Sequence, residues 1–151
     1  MSITQATPAD LDALLPLFCG YLAFYQRPHE AASVRAFLAQ RLERGDSAVL
    51  LARDEQGAAL GFIQLYPFFA SLYLAPALLL SDLFVSPAAR RQGVAEALMQ
   101  AAREHAQGCG ACGLQLETAK NNFAGQALYE KLGYVRDEVF YTYWLDLTDS
   151  A

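Results

Sequence analysis

Residues 78–95, LLLSDLFVSPAARRQGVA, constrain the fold more than any other part of the chain. An apolar run to Val85 reads as a strand, and Pro87 marks a turn. Arg90-Arg91-Gln92-Gly93-Val94-Ala95 then opens an amphipathic helix. A strand, a glycine-bearing turn and a helix start make an anion cradle. The glycine lets backbone approach closely, the first N–H groups point out of the helix, and two arginines add charge. Positive charge at a helix start is unfavourable unless an anion meets it, because the dipole is positive at that end. A pyrophosphate would remove that penalty; the competing reading is two solvated surface charges. No Lys-Ser or Lys-Thr follows the glycine, so this is not a kinase-type phosphate loop.

The flanking periodicities place this unit in a larger α/β pattern. Residues 2–6 read as a first strand. Thr7 and Pro8 then start a helix as N-cap and first helical residue. Leu11, Leu14, Leu15, Phe18 and Leu22 form its apolar stripe. Arg27-Pro28-His29 breaks the pattern. A second helix is predicted over about 30–43, with Val34, Phe37, Leu38 and Leu42 inward and Gly45 ending it. Strands follow at 48–53 and 59–67, joined by the turn Asp54-Glu55-Gln56-Gly57. The run 78–85 is apolar at nearly every position, as a strand buried on both faces requires. The helix after Arg91 extends to about Gln107, and residues 113–118 form another strand. A short helix spans 123–132 and stops at Gly133. Residues 134–146, with Phe140, Tyr141, Tyr143 and Trp144, read as strand. The predicted order is β-α-α-β-β-β-α-β-α-β-β, a mixed α/β sheet in a single domain over 1–151.

Composition excludes several classes. Sixteen acidic residues against eleven basic give a net charge of −5, a poor basis for binding nucleic acid through its phosphates. No apolar run reaches membrane-spanning length, and the N-terminus has no basic segment before an apolar one. A cytoplasmic location without a membrane partner is the expectation. Cys19, Cys109 and Cys112 are an odd, sparse set, which argues against a disulfide framework.

Two segments together resemble a known family. The first is Arg90–Ala95, similar to the coenzyme A motif Arg/Gln-x-x-Gly-x-Gly/Ala of the GNAT superfamily of acyl-CoA-dependent N-acetyltransferases. The second is Leu116-Glu117-Thr118-Ala119-Lys120-Asn121-Asn122, followed by Leu128-Tyr129-Glu130-Lys131-Leu132-Gly133-Tyr134. GNAT proteins commonly show a strand, an Asn, and a helix reading Leu-Tyr-x-Lys-x-Gly-Phe/Tyr. The usual spacing selects Asn122 over Asn121. The predicted element order also matches that fold, so the resemblance covers essentially the whole chain.

The resemblance implies acetyl-CoA as co-substrate, no metal, and direct attack by an amine without an acyl-enzyme. Leu83, Phe84 and Val85 would pair with the pantetheine arm. Arg90, Arg91, Gln92, Gly93, Val94 and Ala95 would cradle the pyrophosphate, and Asn122 and Tyr129 would complete the coenzyme site. Tyr129 would be the general acid, since a phenol of ordinary pKa near 10 stays protonated at neutral pH and can protonate a leaving thiolate. Its other reading is packing beside Leu128 and Leu132. A base is also needed, because the attacking amine must be neutral. Asp82 is one candidate, directly or through a water; an unpaired carboxylate in an apolar strand is costly to bury. It resembles the acidic residue before Leu-Phe-Val in the diamine-acetyltransferase-like branch. Its alternative is a structural Asp bonded to neighbouring backbone. Glu117 is the other candidate, or a solvent-facing residue.

Aromatic residues at Tyr21, Phe24, Tyr25, Tyr66, Phe68, Phe69 and Tyr73 could line an amine site by cation–π contacts or serve packing or a homodimer interface. Polyamines, amino acids, aminoglycosides and protein N-termini all remain open as acceptors, with small molecules favoured by the short chain. Homodimers are common in the superfamily.

Rival motifs lack their context. Gly108-Cys109-Gly110-Ala111-Cys112-Gly113 spells a dinucleotide fingerprint, but it follows a helix and precedes a strand, the reverse of what is needed. Its Cys-x-x-Cys has only His29 and His105 for further zinc ligands. No G-x-S-x-G supports a hydrolase. The rival function is a non-catalytic acyl-CoA-binding sensor or interaction module on the same fold, which predicts coenzyme A binding without turnover. An unrelated nucleotide-binding domain would instead bind NAD or ATP.

Overall fold

The structure is a computed structural model describing residues 1–148; residues 149–151 lie outside them. The order is β1 (Ser2–Gln5), α1 (Leu11–Phe24), α2 (Ala31–Arg44), β2 (Ala48–Arg53), β3 (Ala59–Ala70), β4 (Ala75–Val85), α3 (Val94–Gly108), β5 (Leu114–Leu116) and α4 (Phe123–Lys131). Two compact units divide the chain, Met1–Glu117 and Thr118 onward.

The first unit is built on one mixed sheet in the order β1-β2-β3-β4-β5. The first three pairings are antiparallel, and β4–β5 is parallel. Alternation along the strands sends Val49, Leu51 and Phe62 to one face. There they meet Leu14, Leu17 and Phe18 of α1 and Val34 and Leu38 of α2. On the opposite face α3 buries Val94, Leu98, Met99, Ala102 and Ala106 and contacts β2, β3 and β4. The mixed α/β sheet is the class expected from the sequence, but it has five strands where the predicted order has seven.

Local chemistry sets the element ends. Pro8–Asp10 is a 3₁₀ turn before α1, so the helix starts three residues later than Pro8 implies. Thr7 N–H donates to Asp10 Oδ2 at 2.8 Å, and Arg53 Nη2–H donates to Asp10 Oδ1 at 2.8 Å. The Thr7 N–H, then the Arg53 guanidinium, hold the Asp10 carboxyl below its ordinary pKa against the effect of burial. Phe37, expected inward, is 42% exposed and lies under the Arg41 guanidinium. Gly45 ends α2 in the left-handed region, with φ of 62°, and its N–H donates to the Arg41 carbonyl. Gly45→Ala is expected to cost about 1 kcal/mol, the strain of a Cβ in that region. Thermal denaturation reads it, and an unchanged melting temperature would show that the cap is unstrained.

Two expectations are corrected. Residues 134–146 form no strand, so the predicted order stops after α4. The Asp137 carboxylate accepts from the Val139 and Phe140 N–H groups at 3.1 and 2.9 Å, and Asp146 accepts from Thr148 N–H at 2.9 Å. Side chains there take N–H groups that a ladder would need. β3 runs past its expected end at 67 through Pro67 to Ala70, so Phe68 and Phe69 lie on it. The β2 pairing ends at Leu65, so Pro67 sits where β3 has become an edge and a missing N–H is tolerated. No helix among the described residues is long and apolar enough to cross a membrane.

Candidate active site

The first feature of the site is a break in the sheet. β5 pairs with β4 only at Leu78, Leu79 and Leu80. β4 runs on to Val85, so Ser81–Val85 has no strand partner on that side among the described residues. Its backbone donors and acceptors there form an open edge that suits an amide-bearing arm. Leu83, Phe84 and Val85, the predicted acyl-arm residues, all lie on it. The Phe84 side chain is turned into the core against α1, where a Cβ on Gly20 would stand 3.0 Å from its ring. Only the Phe84 backbone is placed to serve an arm.

The edge leads directly into the turn before α3. Pro87–Ala89 is a 3₁₀ turn, Arg91 has φ of 65° and Gly93 has φ of 77°. The first α3 bond runs from Ala97 N–H to the Gly93 carbonyl, so the N–H groups ahead of it point out of the helix end. A Cβ added at Gly93 would meet nothing within 4 Å. Left-handed residues in an outward turn beside a helix N-terminus make the concave set of donors a phosphate needs. The residues therefore fit the pyrophosphate of a coenzyme A.

The two arginines differ. Arg90 Nε–H donates to the Val85 carbonyl at 3.2 Å, and its guanidinium carbon lies 5.6 Å from the Phe84 ring centroid and 6.0 Å from that of Phe24. Arg90 thus clips the turn to the strand end and to α1. Arg91 has no ion pair or ring contact among the described residues, so its charge is the one available to an anion. Gln92 Nε2–H donates to the Ala88 carbonyl at 3.3 Å and braces the turn. Val94 is buried and Ala95 half-buried at the start of α3.

Asp82 is buried at 8% exposure on the α1 side of β4. It is not unpaired: Gln64 Nε2–H donates to its Oδ2 at 2.8 Å, and Ser47 Oγ–H donates to Gln64 Oε1 at 2.9 Å. Tyr21 O–H donates to the neighbouring Ser81 carbonyl at 3.4 Å. Burial, then the Asp82 charge, raises the Tyr21 phenol well above its ordinary range and pushes Tyr66 up to about 12. Both stay protonated as donors. Gln64 and Ser47 were not singled out in the sequence. The signal was there: one Gln within Phe62-Ile63-x-Leu65 and one charged residue within Leu-Leu-Leu-Ser-x-Leu-Phe-Val. Two such residues on neighbouring strands stabilise each other's burial.

Of the remaining predicted residues, Asn122 and Tyr129 belong to the second unit and Glu117 ends the first. Asn122 is the N-cap of α4: its Oδ1 accepts from Gly125 N–H at 3.1 Å and its Nδ2–H donates to Thr118 Oγ1 at 2.9 Å. A Cβ at position 125 would collide with the Asn122 amide, so Gly125 lets the cap close. Tyr129 lies in the last turns of α4, its ring 6.2 Å from Tyr134, and Tyr134 N–H donates to its carbonyl at 3.0 Å. Glu117, the other predicted base, is exposed just past the end of β5.

A groove of about 840 Å³ runs along α1 beside the end of β4, with Pro16, Gly20, Phe24, Phe84, Ser86 and Arg90 in its walls. Of the predicted aromatics, Phe24 lines it. Tyr21 packs on Phe18, Phe62 and Phe84 instead. Cys109 Sγ lies 3.5 Å from His105 Nε2, and no cluster of three metal-ligating side chains occurs among the described residues.

A five-stranded α/β sheet opened beside a helix-terminal anion cradle accords with the sequence comparison: residues 14–134 match the Acetyltransferase (GNAT) family, and the chain belongs to that family. It is 40% identical to an uncharacterized N-acetyltransferase, YhfO, of Bacillus subtilis, over 97% of this chain and 98% of that one. A crystal structure of a probable acetyltransferase superposes with a TM-score of 0.92 at 41% identity, covering 99% of both chains. The aminoglycoside N(6')-acetyltransferase type 1 of Klebsiella aerogenes is 33% identical over 68% of each chain.

Proposed function

We propose that the chain is an N-acetyltransferase that moves the acetyl group of acetyl-CoA to a primary amine of a small molecule. The observation that carries this reading is the continuous run of open β4 edge, Leu83–Val85, into the cradle Arg91–Ala95. Backbone along the edge holds the pantetheine amides, and the cradle with Arg91 neutralises the pyrophosphate. Acetyl-CoA supplies the activated acyl group. An N–H at the end of β4 stabilises the oxyanion that forms as the amine attacks. Asp82 takes the proton of the attacking amine, Tyr129 gives its phenol proton to the departing thiolate, and Asn122 fixes the helix that carries Tyr129. The two units together would make one acetyltransferase domain, a reading supported by the family match across both.

Aminoglycosides join polyamines as acceptors to test first, because the Klebsiella relative is named for them. The test is release of free coenzyme A thiol from acetyl-CoA against spermidine, kanamycin, amino acids and a peptide N-terminus. Turnover on a small amine is the expected result. Coenzyme binding with no turnover on any of them would instead favour the non-catalytic module.

A homodimer belongs to the same proposal. The β3–β4 hairpin tip exposes Phe69, Leu72, Tyr73 and Leu74, the last at 94%, and contiguous apolar exposure of this kind marks association surfaces. Leu72→Ser with Leu74→Ser is expected to convert dimer to monomer in analytical ultracentrifugation. An unchanged sedimentation coefficient would remove the tip from the interface.

A further inference from the structure

Gln64 is fully buried in mid-β3 between Ile63 and Leu65, which are fully buried as well. A lone amide in that place needs a reason. Its two hydrogen bonds have a fixed direction. An ionised carboxylate only accepts, so the amide turns its NH₂ toward Asp82 and leaves its oxygen for the Ser47 hydroxyl. Ser47 precedes β2, Gln64 is on β3 and Asp82 on β4, so the chain crosses three adjacent strands.

The register around Asp82 is also unusual. Gln64 pairs with Asp82, but the next β3 residue, Leu65, pairs with Leu80, so Ser81 is an extra residue in β4. Bulges re-aim side chains and recur beside active sites. Here the bulge puts the Ser81 carbonyl within reach of the Tyr21 hydroxyl. The groups facing Asp82 are Tyr21 from α1 and Tyr66 from β3, with the Arg41–Asp46 ion pair beyond Tyr66. No cation stands within ion-pair distance of Asp82 among the described residues. Its partners are the Gln64 amide and the Tyr21 hydroxyl, both neutral, rather than a cation.

We propose that Gln64, backed by Ser47, is a positioning residue that grips Asp82 Oδ2 and presents Oδ1 to the acceptor ammonium. This rests on Asp82 being the base. One proton passes from the ammonium nitrogen to the carboxylate, giving a neutral amine and a carboxylic acid, while Gln64 keeps both amide protons. A purely structural Gln64 would leave the acid limb of kcat/KM unmoved in variants that stay folded.

The test reads the Asp82 proton directly. The Asp82 carboxyl ¹³C resonance of the full chain, assigned by its loss in Asp82→Asn, is titrated without any added ligand. Gln64→Leu removes the donor and is expected to raise the midpoint by about one pH unit or more, since a hydrogen bond to the charged form is lost. Gln64→Glu is expected to raise it further, because two adjacent carboxylates share a proton. Ser47→Ala, which keeps the amide, should give a smaller rise and serves if the Leu variant does not fold. Thiol release with spermidine and kanamycin should show the same displacement in the acid limb of kcat/KM. An unmoved midpoint in folded Gln64→Leu overturns the positioning role and leaves Asp82 as base. A moved midpoint with full turnover in Asp82→Asn overturns the base itself.

Discussion

Tyr129→Phe is expected to lower kcat by about 10²- to 10⁴-fold, the usual scale for loss of a general acid. Acetyl-CoA affinity should change little. The substitution removes one hydroxyl and keeps the ring that packs on Tyr134 at 6.2 Å. The chemistry explains the size of the effect. A coenzyme A thiolate leaves more readily if a proton meets it, and a phenol is protonated across the working pH range. The loss should therefore appear in kcat and kcat/KM alike, as for an interaction made only in the transition state. It should shrink at low pH, where solvent can protonate the thiolate. Unaltered turnover across pH would remove the acid role and reduce Tyr129 to a packing residue.

Gly93→Val is expected to weaken acetyl-CoA binding on the order of 10²-fold, about 2.7 kcal/mol. Two effects combine. The backbone at φ of 77° disfavours any side chain, and a β-branched one most. The added atoms also enter space that no protein atom occupies within 4 Å, where the cradle would receive phosphate. Calorimetry separates the effects: strain lowers the melting temperature of the free protein, and crowding lowers affinity in the protein that stays folded. Gly93→Ala should show most of the strain and less of the crowding. Normal affinity in folded Gly93→Val would place the phosphates elsewhere.

The strand–turn–helix around Val85 was legible because each part has a local cause: an apolar run, a proline, a glycine and a helix stripe. The helices were legible for the same reason, down to the Gly45 cap. Pairing is not local, and the failures follow from that. The aromatics at 134–146 suit a strand, but a strand also needs a neighbour, and Asp137 diverts two N–H groups instead. Pro67 looked like the end of a strand because its tolerance depends on where β2 stops. The bond between Gln64 and Asp82 depends on register, which neither strand carries alone. Arg90 and Arg91 are adjacent and alike in sequence, yet Arg90 bonds to the Val85 carbonyl while the left-handed turn falls at Arg91.

The Ser81 bulge has a second consequence, for solubility. An unpaired β4 edge is a template for any passing strand, which proteins must blunt. An extra residue at its start breaks the even spacing that a flat strand would need and increases the local twist. A short, flexible chain with two amides can still follow such an edge, whereas a β-strand of another molecule cannot lie along it for long. The irregularity thus sorts visitors by stiffness and discourages the strand-on-strand growth of filaments.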